Sequence, residues 1–144
     1  MWQKFQFYDP SCGVPLMFRV SGVTQAGARC EMPVSLVQLL PTLCELCGLT
    51  LSQKHDGESL VDLIRQPELK KQTKIYSEYD LQTPNAKYMI RAGDYKYTHW
   101  IHDMPELYHM RDDPKEMRNL AILPEHKGRV EDLKAQLFEW HRPA

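Results

Sequence analysis

The sequence predicts a mixed α+β fold: the end of an α/β layer, followed by a small antiparallel β-sheet that packs against a C-terminal helix. Apolar residues recur every three or four positions from about residue 35, which indicates an amphipathic helix. Near residue 75 the period changes to two and is kept through four short segments, which indicates strands. The helical period returns near the C-terminal end, so we expect a helix that covers the sheet.

In the first half, residues 14–20 form a continuous apolar run that is typical of a strand buried on both faces. The helix that follows begins at about Ser35, and Gly48 is the expected stop. Pro41 lies inside this helical pattern, so it either kinks the helix or starts its second part. Residues 60–64 predict one or two further helical turns.

In the second half, four segments predict strands: residues 75–79, 87–91, 95–100 and 106–110. The linker 92–94 places glycine between two aromatic-rich runs, which is a good hairpin signal. The last helix begins near Pro124. Its apolar stripe consists of Val130, Leu133, Leu137 and Trp140.

Composition limits the class of protein. The 144 residues are the size of one ordinary domain, with 42% apolar residues, 26% charged residues and a formal net charge of −1. Since no stretch is densely basic, we expect no nucleic-acid partner and no anionic membrane surface as partner. Every apolar run is interrupted by polar side chains, so no segment is expected to span a bilayer. Aromatic residues crowd the first seven positions, and we expect neighbouring parts of the protein to cover them.

The four cysteines predict neither a redox centre nor a zinc site. Cys44 and Cys47 form a C-x-x-C pair near the end of the predicted helix, where the helix dipole does not favour a thiolate. We therefore expect buried structural thiols, and no second C-x-x-C exists to complete a zinc site.

Five segments, in order along the chain, resemble motifs of the sulfatases (arylsulfatase- and iduronate-sulfatase-like members of the alkaline-phosphatase-like superfamily). Residues 2–16 are similar to K-x-x-x-Y-E-x-x-x-R-V-P-L, and 33–49 to V-S-L-V-D-L-L-P-T-L-L-E-L-A-G-L. Residues 56–60 resemble D-G-x-S-L, 89–97 resemble I-R-T-G-D-Y-K-Y, and 106–121 resemble E-L-Y-D-L-x-x-D-P-x-E-x-x-N-L-A. The resemblance covers almost the whole chain and identifies it as the C-terminal portion of a sulfatase.

This resemblance implies the domain organisation. Residues 1–80 are expected to be the incomplete C-terminal end of the sulfatase α/β catalytic domain. Residues 81–144 are expected to be the C-terminal subdomain, an antiparallel sheet plus a helix.

The resemblance also implies the chemistry of a full-length relative. Sulfatases hydrolyse sulfate esters with a formylglycine made from Cys or Ser in C-x-P-x-R or S-x-P-x-R, and with a bound calcium or magnesium ion that holds the sulfate oxygens. Neither nucleophile motif occurs in this sequence, and the family's acidic metal ligands belong to its N-terminal part. We therefore expect this chain to hold no cofactor or metal and to be catalytically incomplete alone.

One residue of the family's catalytic site has a counterpart here. Lys4 stands at the position of the family lysine that contacts the sulfate, a role that suits a compact ammonium charge. The alternative is a solvated lysine near a chain end. Gly13 departs from the family pattern, which usually has arginine before Val-Pro-Leu, and this raises the possibility of a degenerate sulfatase.

Three further residues are candidates for binding substrate. His99, Trp100 and His102 lie in the region whose loops border the substrate pocket in sulfatases, where they would stack on a ring or donate hydrogen bonds. The three histidines His99, His102 and His109 also suggest a zinc site, but their spacing fits no ligand pattern, and polar loop residues are the simpler interpretation.

Two functions remain open. The first is the C-terminal fragment of a sulfuric ester hydrolase, whose full-length form would bind a sulfated small molecule or saccharide. The alternative is a non-catalytic, truncated relative that acts as a binding or oligomerising module and associates with itself through exposed sheet edges.

Overall fold

The computed structural model describes residues 5–69 and 73–141, which belong to two compact units. One unit combines Met1–Val14 with Lys74–Ala144, and the other is Pro15–Thr73. The division of a full-length sulfatase at residue 80 stays a prediction.

The first unit contains a four-stranded antiparallel sheet whose strands are in chain order. The strands are β1 (Lys74–Tyr79), β2 (Lys87–Ala92), β3 (Tyr95–Trp100) and β4 (Glu106–His109). All four predicted strands are present, and only the last is shorter than predicted. β1 and β4 are the edges of the sheet, and their use for self-association stays a prediction.

The β2–β3 hairpin confirms the glycine signal. Ala92 pairs with Tyr95 across a two-residue turn, in which Gly93 has a φ of 57°. This left-handed conformation costs glycine little because it has no Cβ. The turn fixes the register of the whole hairpin and places Lys87 opposite Trp100.

A long helix covers one face of this sheet. A 3₁₀ turn at Pro124–His126 leads into the last helix, α4 (Lys127–Trp140). The predicted stripe faces the sheet: Leu133 and Leu137 are 2% and 0% exposed, and the ring of Trp140 stacks on Tyr76 with centroids 4.7 Å apart. The buried core on this side comprises Ala86, Tyr88, Ile90, Tyr97, Leu107, Leu133 and Leu137.

The N-terminal segment, residues 5–14, contacts the other face of the sheet. It contains the short helix α1 (Asp9–Cys12). Phe7 is buried, and the Tyr8 ring meets the Tyr108 ring edge-on at 6.0 Å. For Phe7, this confirms the expectation that neighbouring residues cover the aromatic start of the chain.

The second unit is built from short helices. A 3₁₀ turn (Leu36–Gln38) precedes α2 (Leu39–Leu46), and α3 follows at Val61–Arg65. Pro41 lies in the first turn of α2, where its missing N–H has no intrahelical partner to lose, so it starts the second part of the helix. Gly48 ends the helix with a φ of 68° while the Leu49 N–H donates to the Cys44 carbonyl at 2.8 Å, which satisfies a free helix carbonyl.

Two residues of the sulfatase-like motifs hold this unit together. The buried Thr42 hydroxyl donates to the Gln38 carbonyl at 2.5 Å and accepts the Leu60 N–H at 2.9 Å. Gly57 lies so close to the backbone that a Cβ would be 2.2 Å from the Val37 carbonyl oxygen. Any larger residue there would therefore displace this backbone contact.

Two expectations for this half of the chain are wrong. Residues 14–20 are not a strand, because no described segment pairs with them, and Met17 is 87% exposed. No cysteine is buried either: Cys44 is half-buried, and Cys12, Cys30 and Cys47 are exposed. The apolar stripe of α2 therefore does not enclose its thiols within the described chain.

The mixed α+β class is confirmed: a four-stranded antiparallel sheet packs against the C-terminal helix, with short helices before it. Within residues 5–69 and 73–141, no helix has both the length and the apolar character that a membrane span needs.

Candidate functional site

The sheet face opposite α4 carries most of the charge that the fold buries. Side chains alternate between the two faces of a strand, so in β2 Lys87 and Arg91 point away from the helix-facing Tyr88. In β3, Lys96 and Trp100 lie on the same side of the sheet as Lys87, and the N-terminal segment packs on this side. We call this surface the charged face.

Lys96 is the centre of an ion-pair network on the charged face. Its side chain is 2% exposed, and Nζ lies 2.6 Å from Asp9 Oδ1 and 2.7 Å from Glu116 Oε1. Nζ also donates to the Phe7 carbonyl at 2.8 Å. Two hydrogen-bond acceptors and a second carboxylate at ion-pair distance surround the ammonium group, so opposite charge compensates this buried cation.

The C-terminal motif residues support this network. Glu116 also accepts the Asp9 backbone N–H at 2.7 Å, which ties the N-terminal segment to the turn after β4. The turn is held by the Asp113 carboxylate, which accepts the N–H groups of Met117 and Arg118 at 3.0 and 2.8 Å. These N–H donors lower the pKa of Asp113.

A tyrosine–carboxylate pair lies near the start of β4. Tyr8 Oη donates to Glu106 Oε1 at 2.6 Å. Burial, together with this hydrogen bond, raises the pKa of Tyr8 well above its ordinary value. The hydroxyl is therefore a permanent donor, and it occupies part of the hydrogen-bonding capacity of Glu106.

Lys87 differs from Lys96 in its surroundings. Its Nζ lies 4.3 Å from the centre of the Trp100 ring and 5.0 Å from that of Tyr79. The Tyr79 ring also contacts Phe5, with centroids 5.6 Å apart. Burial lowers the pKa of Lys87, although the negative charges of Asp80 and Glu106 act in the opposite direction.

The structure separates the three predicted substrate residues. Trp100 lies on the charged face at the end of β3, and His99 points to the opposite face. His102 is exposed in the bend after β3. Their part in substrate binding stays a prediction. Lys4 lies outside the described residues, directly before Phe5 in the sequence.

His99 belongs to the helix-facing side. Its ring meets Phe138 edge-on at 5.0 Å, and Nδ1 lies 3.3 Å from the Tyr97 hydroxyl. Burial, with a smaller contribution from the charge of Lys134, lowers the pKa of His99. The neutral imidazole is therefore the favoured form in this packing position.

The described residues do not fit the ion that a sulfatase uses. Nowhere in 5–69 and 73–141 do three His, Cys, Asp or Glu side chains form a group that could hold a metal. Among these residues, the one carboxylate at ion-pair distance from His109 is that of Asp112, at 2.8 Å.

The local structure explains why position 13 is a glycine. A Cβ on Gly13 would lie 2.7 Å from the Asp9 carbonyl oxygen, which accepts the Gly13 N–H at 2.8 Å. A side chain such as the family's arginine would require this turn to shift. The glycine therefore fits the way α1 ends in this chain.

Residues 1–142 match the family model of the C-terminal region of N-sulphoglucosamine sulphohydrolase, and the chain belongs to this sulfatase family. A curated relative is the Delta 4,5-hexuronate-2-O-sulfatase of Bacteroides thetaiotaomicron, 34% identical over 145 residues. That alignment covers 90% of this chain and 30% of the relative.

Solved structures agree with this assignment. A 2-O glycosaminoglycan sulfatase is 33% identical with a TM-score of 0.62, over 72% of this chain and 23% of that one. A second structure, in complex with its substrate D-glucosamine-2-N,6-O-disulfate, is 23% identical with a TM-score of 0.59 and supports the fold. It covers 74% of this chain and 24% of its own. The chain thus spans less than a third of the length of these relatives.

Lys87, Lys96 and Glu116 are not among the site residues predicted from the sequence. Lys96 and Glu116 stand inside quoted motifs, but their ion pair joins β3 to a distant turn, and no local pattern predicts it. For Lys87, the sequence did contain a signal that would have predicted its neighbour. The two-residue turn at Gly93 sets the register that places Lys87 opposite Trp100.

Proposed function

We propose that this chain forms the C-terminal part of a sulfuric ester hydrolase and that it works only together with an N-terminal catalytic portion. The observation that carries the proposal is the family match over residues 1–142, combined with alignment to only 30% of a curated sulfatase. The chain contains no C-x-P-x-R or S-x-P-x-R motif, so the nucleophile must come from elsewhere.

The contribution of this chain would be to position groups around the substrate. The Lys96 network fixes residues 7–9 on the sheet, a few positions after Lys4, the counterpart of the family's sulfate-contacting lysine. A lysine that is positioned in advance would stabilise the negative charge on the sulfate oxygens during cleavage. Names of relatives that refer to hexuronate and glucosamine sulfates support a sulfated saccharide as substrate.

A chimera tests this proposal. This chain would replace the aligned C-terminal region of the Bacteroides hexuronate sulfatase, and hydrolysis of that enzyme's own sulfated substrate would be measured. We expect turnover from the chimera, and none from either this chain alone or the relative without its C-terminal region. Lys4→Ala in the chimera should lower kcat more than it raises KM, because its contact strengthens as charge develops.

A folded chimera without turnover would contradict the proposal, and so would turnover by the isolated chain. Folding of the chimera is checked by its cooperative thermal transition. The parent sulfatase, produced and matured in the same cells, shows that the modification of its nucleophile was complete.

A further inference from the structure

We propose that Lys87, together with the rings of Tyr79 and Trp100, forms a subsite for a sulfate group carried on a saccharide ring. This inference rests on the proposed function and adds to it a binding site on the charged face. The three residues meet where β1 ends, β2 begins and β3 ends, so three neighbouring strands fix their relative positions.

Two buried lysines on one sheet face have different partners. Lys96 has two carboxylates within 2.7 Å and a backbone carbonyl at 2.8 Å. Lys87 is 3% exposed, yet its contacts among the described residues are two aromatic rings and no carboxylate at ion-pair distance. Aromatic faces compensate a buried ammonium only in part, so a bound anion would stabilise this one.

The aromatic rings around Lys87 offer an exposed surface to a sugar. Tyr79 and Trp100 are half-buried, and Phe5 beside Tyr79 is 46% exposed. Flat apolar rings next to a single cation match a pyranose ring that carries an anionic substituent. This combination favours a sulfated sugar over a free inorganic anion, which would use the charge alone.

The carboxylates near Lys87 set a limit on this attraction. Asp80 and Glu106 are close enough to influence its charge, but neither is an ion-pair partner of Lys87 within the described residues. Glu106 already accepts the Tyr8 hydroxyl at 2.6 Å, which stabilises it without the lysine. The ammonium therefore keeps capacity for a stronger acceptor such as a sulfate oxygen.

Nuclear magnetic resonance titration of the isotopically labelled chain tests the subsite. The probe is D-glucosamine-2-N,6-O-disulfate, and N-acetylglucosamine and inorganic sulfate are titrated in parallel. We expect saturable shifts of the Trp100 indole N–H and the Lys87 side chain with the sulfated sugar. Each of the two parallel probes should bind at least about ten-fold more weakly, because each lacks one half of the interaction.

Variants identify the residue responsible. Lys87→Met should weaken binding of the disulfate at least about ten-fold, and Lys87→Arg should restore most of it because the charge remains. Lys134→Met is the matched control: Lys134 also lies over an aromatic ring, Phe138, at 5.8 Å, but it is exposed on α4. This control should leave the affinity unchanged.

Three results would overturn the subsite: no saturable shift in the wild-type chain, equal affinity in Lys87→Met, or equal affinity for the unsulfated sugar. If Lys87→Met does not fold, the wild-type Lys87 resonances and the arginine variant still decide the question. None of these measurements requires turnover, so an inactive chimera would refute the proposed function without affecting this result.

Discussion

The two faces of the sheet are stabilised in different ways. Toward α4, aliphatic side chains such as Ile90, Leu107 and Leu137 are fully buried and carry no charge that needs compensation. On the charged face, the same strands bury Lys87 and Lys96, and the N-terminal segment supplies the Asp9 carboxylate and the Phe7 carbonyl to Lys96.

The two faces therefore have different roles: the apolar face mainly stabilises the fold, and the charged face positions particular residues. Burial of apolar area is non-directional and tolerates small shifts of the helix over the sheet. The Lys96 network is directional, since each proton of its ammonium group needs an acceptor at a particular place. The charged face therefore fixes residues 7–9 in one arrangement, which the proposed function requires of the segment after Lys4.

The largest expected effect comes from breaking the network on the charged face. Lys96→Met leaves the Glu116 carboxylate, whose side chain is 1% exposed, without a counter-charge. We expect the free energy of unfolding to fall by about 3–5 kcal/mol. Urea denaturation measures this loss, and hydrogen exchange should show that the amides of residues 7–9 lose protection.

The double variant Lys96→Met with Glu116→Gln provides the control. Removing both charges should recover part of the lost stability, because the remaining buried group is neutral. If the single and double variants are equally stable, or if the single variant loses almost nothing, the network does not stabilise the fold as described.

A smaller loss is expected on the apolar face. Leu137→Ala removes a side chain that is 0% exposed and leaves a cavity between α4 and the sheet. The free energy of unfolding should fall by about 2–5 kcal/mol, while exchange at residues 7–9 follows only the global stability. Ile122→Ala, at a position 64% exposed, is the matched control and should change stability by about 0.5 kcal/mol or less. Selective loss of protection at residues 7–9 in Leu137→Ala would contradict the separation of the two faces.

The smallest effect concerns the pH dependence of the apolar face. Burial lowers the pKa of His99 below its ordinary value of 6.5. In the pH range between the folded and the unfolded pKa, the unfolded chain binds more protons, so stability rises with pH there. The fold should therefore lose stability as the pH falls from above 6.5 through the folded pKa.

His99→Phe tests this dependence. The phenyl ring keeps the edge-on packing on Phe138 but cannot take up a proton. Thermal denaturation at a series of pH values should give a flatter profile than that of the wild type. An unchanged slope would mean that another group causes the acid destabilisation.

Local sequence patterns correctly predicted those elements of the fold that depend on neighbouring residues in the chain. The Gly93 turn, the Gly48 helix end and the stripe of α4 all follow from backbone conformation and periodicity. The strand expected at 14–20 was wrong because an apolar run needs a partner strand, and pairing is not a local property. The prediction of buried thiols at Cys44 and Cys47 was wrong for a similar reason, since a helix does not by itself determine what covers its apolar side.

The sequence by itself determined the sulfatase family, the order of strands and helices, and the absence of the nucleophile motif, because motifs and periodicity are properties of the linear chain. Only the tertiary structure decided which buried lysine meets carboxylates and which meets aromatic rings among the described residues. It paired Lys96 with Asp9 and Glu116, and it placed Lys87 between two rings. The physical reason is that charge compensation depends on distances of a few ångströms between residues far apart in sequence, and folding alone sets those distances.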